Sequence, residues 1–204
     1  MIPKETVVSQ PIETPTLHAH AMNDLRFIRS TMERASSFTA VPGYGMVVMG
    51  ATAALTAYLS SQRADAEGWL VIWLAEAVLA TSIAFISMGY KARSAKISLF
   101  TGAGWRFILN LFVPVFAGVP LTLVFYQQGL TEILPGLWLL LYGTGVVTGG
   151  AFSVRIIPTM GFGFILTGVV TLFVSPYWGD YMLAFGFGGL HIIFGGAIAR
   201  RHGG

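Results

Sequence analysis

Two ionisable side chains lie where an ionisable side chain is costly. Glu76 stands in Trp73-Leu74-Ala75-Glu76-Ala77 and His191 in Gly188-Gly189-Leu190-His191, each inside a long apolar run. A carboxyl or an imidazole surrounded by hydrocarbon faces a bundle interior and is by default a functional candidate. Paired, the two would form a proton relay or an ion site, because histidine titrates near physiological pH. Separately, each is a hydrogen-bonding contact between helices. The helical neighbours of Glu76 (Trp73, Ala80, Ile83, Ala84 and Ser87) form a mostly small face. His191 shares its expected face with Ala184, Gly188, Gly195 and Ala199.

Other polar groups carry less chemistry. Arg106 and Asn110 are one helical turn apart; Arg106 can snorkel to headgroups, and Asn110 is expected to bond across a helix interface. Gly145-Val146-Val147-Thr148-Gly149 is a GxxxG motif that brings two helices together, within one chain or between copies. Gly143-Thr144-Gly145 does not follow a strand, which excludes a dinucleotide loop there. His18-Ala19-His20 with Asp24 supplies too few ligands, on diverging faces, to close a metal site. The chain has no cysteine, so thiolate chemistry is excluded. No nucleophile–base pair or paired-carboxylate site appears, and we read the chain as no enzyme, with no cofactor and no metal.

The elements that must hold these residues are transmembrane helices. Hydrophobic residues make up 54% of the 204 and charged residues only 10%, with a mean hydropathy of +0.70. A soluble domain averages about 25% charged residues. The bilayer is therefore the expected solvent. The net charge of +3 is small, and its placement speaks to membrane orientation and not to nucleic acid. Six apolar segments, near 41–60, 69–90, 107–126, 133–151, 157–174 and 181–199, each approach the ~20 residues a span needs. Pro114 and Pro120 predict a kink in the third.

Lys4, Arg26, Arg29 and Arg34 precede the first segment. Lys91, Arg93, Lys96 and Arg106 flank the second loop, Arg155 lies in the fourth, and Arg200 and Arg201 follow the last. Only Arg63 falls on the other side. The positive-inside rule places both termini in the cytoplasm, with Trp69 and Trp178 near the outer interface and Trp105 near the inner one. No cleavable leader pattern precedes the first segment, so that segment is expected to direct insertion itself.

Before the spans, residues 1–14 read as a flexible tail and residues 15–37 as an amphipathic helix starting at Thr14-Pro15. Its stripe is Ala21, Leu25, Ile28, Met32 and Ala35, with Arg26, Arg29, Glu33 and Arg34 off it. Such a helix lies on the membrane surface or engages a partner. Within the membrane domain, 38–204, the start echoes itself. Phe38-Thr39, Pro42, Gly43-Tyr44-Gly45 and Gly50 return as Phe152-Ser153, Pro158, Gly161-Phe162-Gly163 and Gly168. Both copies run the same way through the expected topology, a weak parallel repeat of 38–60 and 152–175.

The run from His20 to Arg29, its continuation Met32 to Gly43, Leu139 to Gly150, and Gly186-Phe187-Gly188-Gly189-Leu190-His191 together resemble a family of uncharacterised bacterial six-span inner-membrane proteins. The resemblance implies a bacterial inner membrane and no particular mechanism. Two functions follow from the residues. The favoured one is a non-enzymatic subunit, assembly factor or regulator working through protein contacts, with the bilayer, a protein partner or its own copies as partners. The alternative is a small oligomeric transporter or channel using Glu76 and His191. Two ionisable groups are few for a conducting path, which tips the reading to the first.

Overall fold

The computed structural model describes residues 17–35, 37–63, 65–96, 98–100 and 102–202. The expected tail 1–14 lies outside them. The chain forms two compact units, Met1–Ala35 and Ser36–Gly204. In the first, helix α1 spans Leu17–Ala35.

The second unit is all-helical: α2 (Gly43–Ser60), α3 (Ala66–Ser94), α4 (Gly102–Gln127), α5 (Leu134–Gly150), α6 (Ile156–Phe173), α7 (Gly179–Leu183) and α8 (His191–His202). A 3₁₀ turn, Thr131–Ile133, leads into α5, and another, Pro176–Trp178, leads into α7. A π-helical segment, Ala184–Leu190, joins α7 to α8, so that the last span is one rod with a widened middle. Among the described residues, five stretches are long and apolar enough to cross a membrane: Ala66–Ser94, Gly102–Gln127, Thr131–Gly150, Ile156–Phe173 and Pro176–Arg201. The first expected span, α2, is not among them. It is as long as Ile156–Phe173, which is among them, but Tyr44, Thr52, Thr56, Tyr58, Ser60 and three glycines dilute its apolar character.

Glycines set the close approaches. On α2, a Cβ at Gly50 would sit 2.6 Å from Gly188 O, and on α8 a Cβ at Gly195 would sit 2.8 Å from Gly43 O. The numbering runs oppositely along this seam, so the last rod packs antiparallel to α2. A second antiparallel seam joins α5 and α6: a Cβ at Gly143 would lie 2.9 Å from Gly161 O, and one at Gly168 3.1 Å from Gly136 O. Small residues permit this backbone contact, which supplies the packing that hydrophobicity cannot supply between helices in lipid. The last rod lies between α2 and the α5–α6 pair: Gly188 faces Ala54 on α2, while Gly186 faces Leu139 on α5 and Phe164 on α6.

The two echoed segments meet. Phe38 N–H donates to Phe152 O at 2.7 Å, Ser153 Oγ donates to Phe38 O at 2.6 Å, and Phe38 and Ser153 form an isolated parallel bridge. Their following helices each bind an antiparallel partner along glycines seven residues apart, Gly43 and Gly50 on α2, Gly161 and Gly168 on α6. Lys91 Nζ donates to Val41 O at 3.0 Å, tying the end of α3 to the entry of α2.

The GxxxG motif is used within the chain. A Cβ at Gly149 would lie 2.9 Å from Phe107 O, and Gly145 faces Leu111 O, so this face of α5 rides on the backbone of α4.

Candidate functional site

Thr52 and Thr56 stand four residues apart, one above the other on the face of α2 toward α3. Between them comes Glu76, 6% exposed. Thr52 Oγ1 donates to Glu76 Oε1 at 2.8 Å and Thr56 Oγ1 to Oε2 at 3.2 Å. Thr52 Oγ1 also lies 2.9 Å from Met49 O. A hydroxyl has one proton to give, so it divides between the acid and its own helix.

His191 is 3% exposed and belongs to a separate network. Its Nδ1 lies 2.8 Å from Phe187 O, and a carbonyl only accepts, so Nδ1 carries the proton. Nε2 of the neutral ring is then an acceptor, and Tyr142 O–H donates to it at 2.7 Å. Phe164 meets the ring edge-on at 5.3 Å between centroids, and Phe187 stacks at 6.3 Å. The imidazole is thus satisfied at both nitrogens inside an aromatic box.

The expected face of His191 needs correction. Gly188 and Gly195 turn to α2, as above, but His191 turns to Tyr142 on α5 and Phe164 on α6. On a regular α-helix, positions 188, 191 and 195 share one face. The seam with α2 follows Gly188, Ile192, Gly195 and Ala199, spaced four, three and four apart, and His191 sits to one side of that stripe. No hydrogen bond joins Glu76 and His191, and they share no partner: the acid is held by α2, the imidazole by α5 and by its own rod.

Beside His191 and Tyr142 lies a cavity of about 60 Å³ with a lining that includes Met46, Met49, Met88 and Met160. Its walls are almost wholly apolar, and methionine fills irregular gaps of this kind.

Asn110 departs from expectation. Its Nδ2 donates to Arg106 O at 2.8 Å, within α4. What crosses the interface is its backbone carbonyl, which lies 3.0 Å from Thr148 Oγ1 of α5. Pro114 explains this: lacking an N–H, it cannot donate to the carbonyl four residues back, which is that of Asn110. Thr148, inside the GxxxG motif, serves the freed group, in competition with Thr144 O at 2.9 Å. Arg106 places its guanidinium 5.9 Å from the centre of the Phe152 ring.

A third polar centre escaped sequence reasoning. Asp180 Oδ1 accepts from Ser60 Oγ at 2.7 Å, Trp69 Nε1 at 2.9 Å and Trp73 Nε1 at 3.2 Å. One carboxylate oxygen thereby joins α2, α3 and α7. The signal available was the i, i+4 spacing of Trp69 and Trp73 at the same end of the bundle as Ser60 and Asp180. Trp69 also stacks on Trp138 at 5.4 Å, so its indole serves the chain's own interior.

On α1, Leu25 is 61% and Ile28 52% exposed, and Met22 and Phe27, both off the expected stripe, are exposed too. Arg26 is exposed; the side chains of Arg29 and Met32 lie outside the described ones. Among the described residues, no three His, Asp or Glu side chains gather to hold a metal ion. No protein-family model, curated protein or solved structure matches the chain.

Proposed function

We propose that this chain is a non-enzymatic multi-pass membrane protein that acts as a subunit, assembly factor or regulator through protein–protein contacts. One observation carries the reading. Among the described residues, no buried side-chain nitrogen or oxygen lacks a hydrogen-bond partner. Glu76 and His191 are each satisfied by the chain itself, in separate networks. A transport path needs polar groups that exchange partners with a passing ion, and satisfied groups serve better to fix helix positions.

In this reading α2 is a sixth span, made tolerable in lipid by its intrahelical bonds and by its neighbours. Lys91, Arg93, Lys96, Arg106, Arg155, Arg200 and Arg201 mark the cytoplasmic side, and both termini lie there. The resemblance noted above is what supports a bacterial inner membrane as its location in this reading. Helix α1, with Leu25 and Ile28 exposed beside Arg26, is the contact element, either for a partner or for the membrane surface.

The test is the intact mass of the assembly extracted from native membranes in mild detergent. A stoichiometric second protein, lost on deletion of residues 1–37 and retained in Glu76→Gln, is expected. Proton or ion flux in liposomes that Glu76→Gln abolishes while the protein stays folded would overturn the reading in favour of transport.

A further inference from the structure

Four of the five methionines in residues 38–204 border one cavity. Met46 and Met49 stand three apart on α2, Met88 lies near the end of α3 and Met160 in α6, and all four are buried. The fifth, Met182, is not in the lining. Thioethers therefore reach this space from three helices that are distant in sequence. It is the cavity of about 60 Å³ beside Tyr142 and His191, the liquid share of about two waters.

Methionine is the side chain best suited to folding into an irregular gap, and four of them leave this one open. Water gains little from the almost wholly apolar wall, because it needs several polar partners to stay. The polar side chains of the lining are Tyr142 and His191. Their bond to each other and the bond from Nδ1 to Phe187 O occupy the hydroxyl proton and both ring nitrogens. What the wall still offers a ligand is sulfur lone pairs.

We infer that this cavity binds a soft monovalent metal ion, Cu(I), through methionine thioethers. Thioether sulfur is a neutral, polarisable donor, and among biological metals it selects Cu(I). Calcium and magnesium need shells of oxygen, and the lining has no carboxylate. Zinc takes thiolate, imidazole or carboxylate donors; the chain has no cysteine, and the imidazole here is already bonded at both nitrogens. The methionine side chain is unbranched and turns about three bonds, so the sulfurs can close on an ion without moving the helices. Val41 and Pro42 at the entry of α2, and Ile157 at the start of α6, place the cavity toward the Lys/Arg-rich end of the bundle. In the topology proposed above that end faces the cytoplasm, where a reducing thiol pool keeps copper as Cu(I). The binding itself depends neither on that topology nor on any protein partner.

The experiment sets the purified full chain, in thiol-free detergent under anaerobic conditions, against bathocuproine disulfonate for Cu(I), reading the loss of colour of the Cu(I) chelate. One Cu(I) per chain is expected, with a shell of sulfur scatterers in its X-ray absorption spectrum. Met88→Leu and Met160→Leu each remove one donor at nearly constant volume, so both variants should fold, and metal-free Tm checks this. Each is expected to weaken binding about 10–100-fold, the range known for loss of even an outer partner of a metal site. The double variant keeps only the two thioethers of α2 and should no longer hold the ion against the chelator. Met182→Leu, outside the lining, should bind as wild type does. Helix α1 carries Met22, Met32, His18 and His20, so deletion of residues 1–37 is the control for binding there, and affinity should survive it. No stoichiometric binding by the wild type, a shell without sulfur, an unchanged affinity in the double variant, or an equal loss in Met182→Leu or in the deletion would overturn the inference.

Discussion

Gly195 and Gly196 are neighbours on α8 that differ in what surrounds them, and substituting each by alanine isolates the packing of the last rod on α2. A Cβ at Gly195 would lie 2.8 Å from both Gly43 O and Met46 Cβ and 3.0 Å from Val47 N, whereas a Cβ at Gly196 meets nothing within 4 Å. Backbone and Cβ atoms cannot swing aside as the tip of a side chain can. To bring the nearest approach from 2.8 Å to an ordinary 3.4 Å, the seam must open by 3.4 − 2.8, roughly 0.6 Å. Overpacking of this kind costs about 1–3 kcal/mol. Both substitutions gain up to about 1 kcal/mol of helix propensity. Gly196→Ala should therefore be stabilised by up to about 1 kcal/mol, and Gly195→Ala destabilised by up to about 2 kcal/mol. The gap between them is about 2 kcal/mol, some thirtyfold in the unfolding equilibrium. The assay is reversible unfolding in mixed micelles of mild detergent and dodecyl sulfate, followed by tryptophan fluorescence. If Gly195→Ala is as stable as Gly196→Ala, the backbone contact between α8 and α2 does not exist as described.

Three further outcomes follow from the polar networks. Tyr142→Phe removes the donor to His191 Nε2 and should cost about 1–3 kcal/mol, the penalty of a buried unsatisfied acceptor; in a double-mutant cycle with His191→Leu, independence of the two losses would refute the pairing. Asp180→Ala strips one acceptor from Ser60, Trp69 and Trp73 and should cost about 3 kcal/mol while altering indole emission, whereas Asp180→Asn, which keeps a carbonyl oxygen, should cost clearly less. Thr148→Val should cost about 1 kcal/mol by abandoning Asn110 O, and the loss should shrink in a Pro114→Ala background, where residue 114 regains the N–H that serves the same carbonyl; an equal loss in both backgrounds, read as Tm, would sink that account.

Composition alone settled the solvent and the class of element. With a tenth of its residues charged, the chain can satisfy its backbone in hydrocarbon by forming helices. The segment positions follow from the same arithmetic of length and apolarity, and α2, its apolarity diluted by glycine, tyrosine, threonine and serine, is the segment that this arithmetic does not select. Glu76 and His191 stood out as polar residues in apolar runs, a signal that needs no fold. What each of them bonds to was beyond the sequence. The seam with α2 takes Gly188, Ile192, Gly195 and Ala199, which leaves His191 beside it and turned to Tyr142 and Phe164, a choice between adjacent faces that periodicity alone does not make. The Asp180 centre gathers residues 107 to 120 positions apart, a distance no local pattern spans. The GxxxG motif announced a close approach, yet only the packed bundle identifies its partner as α4, because every helix in lipid offers a similar apolar surface and the choice among them is made by shape.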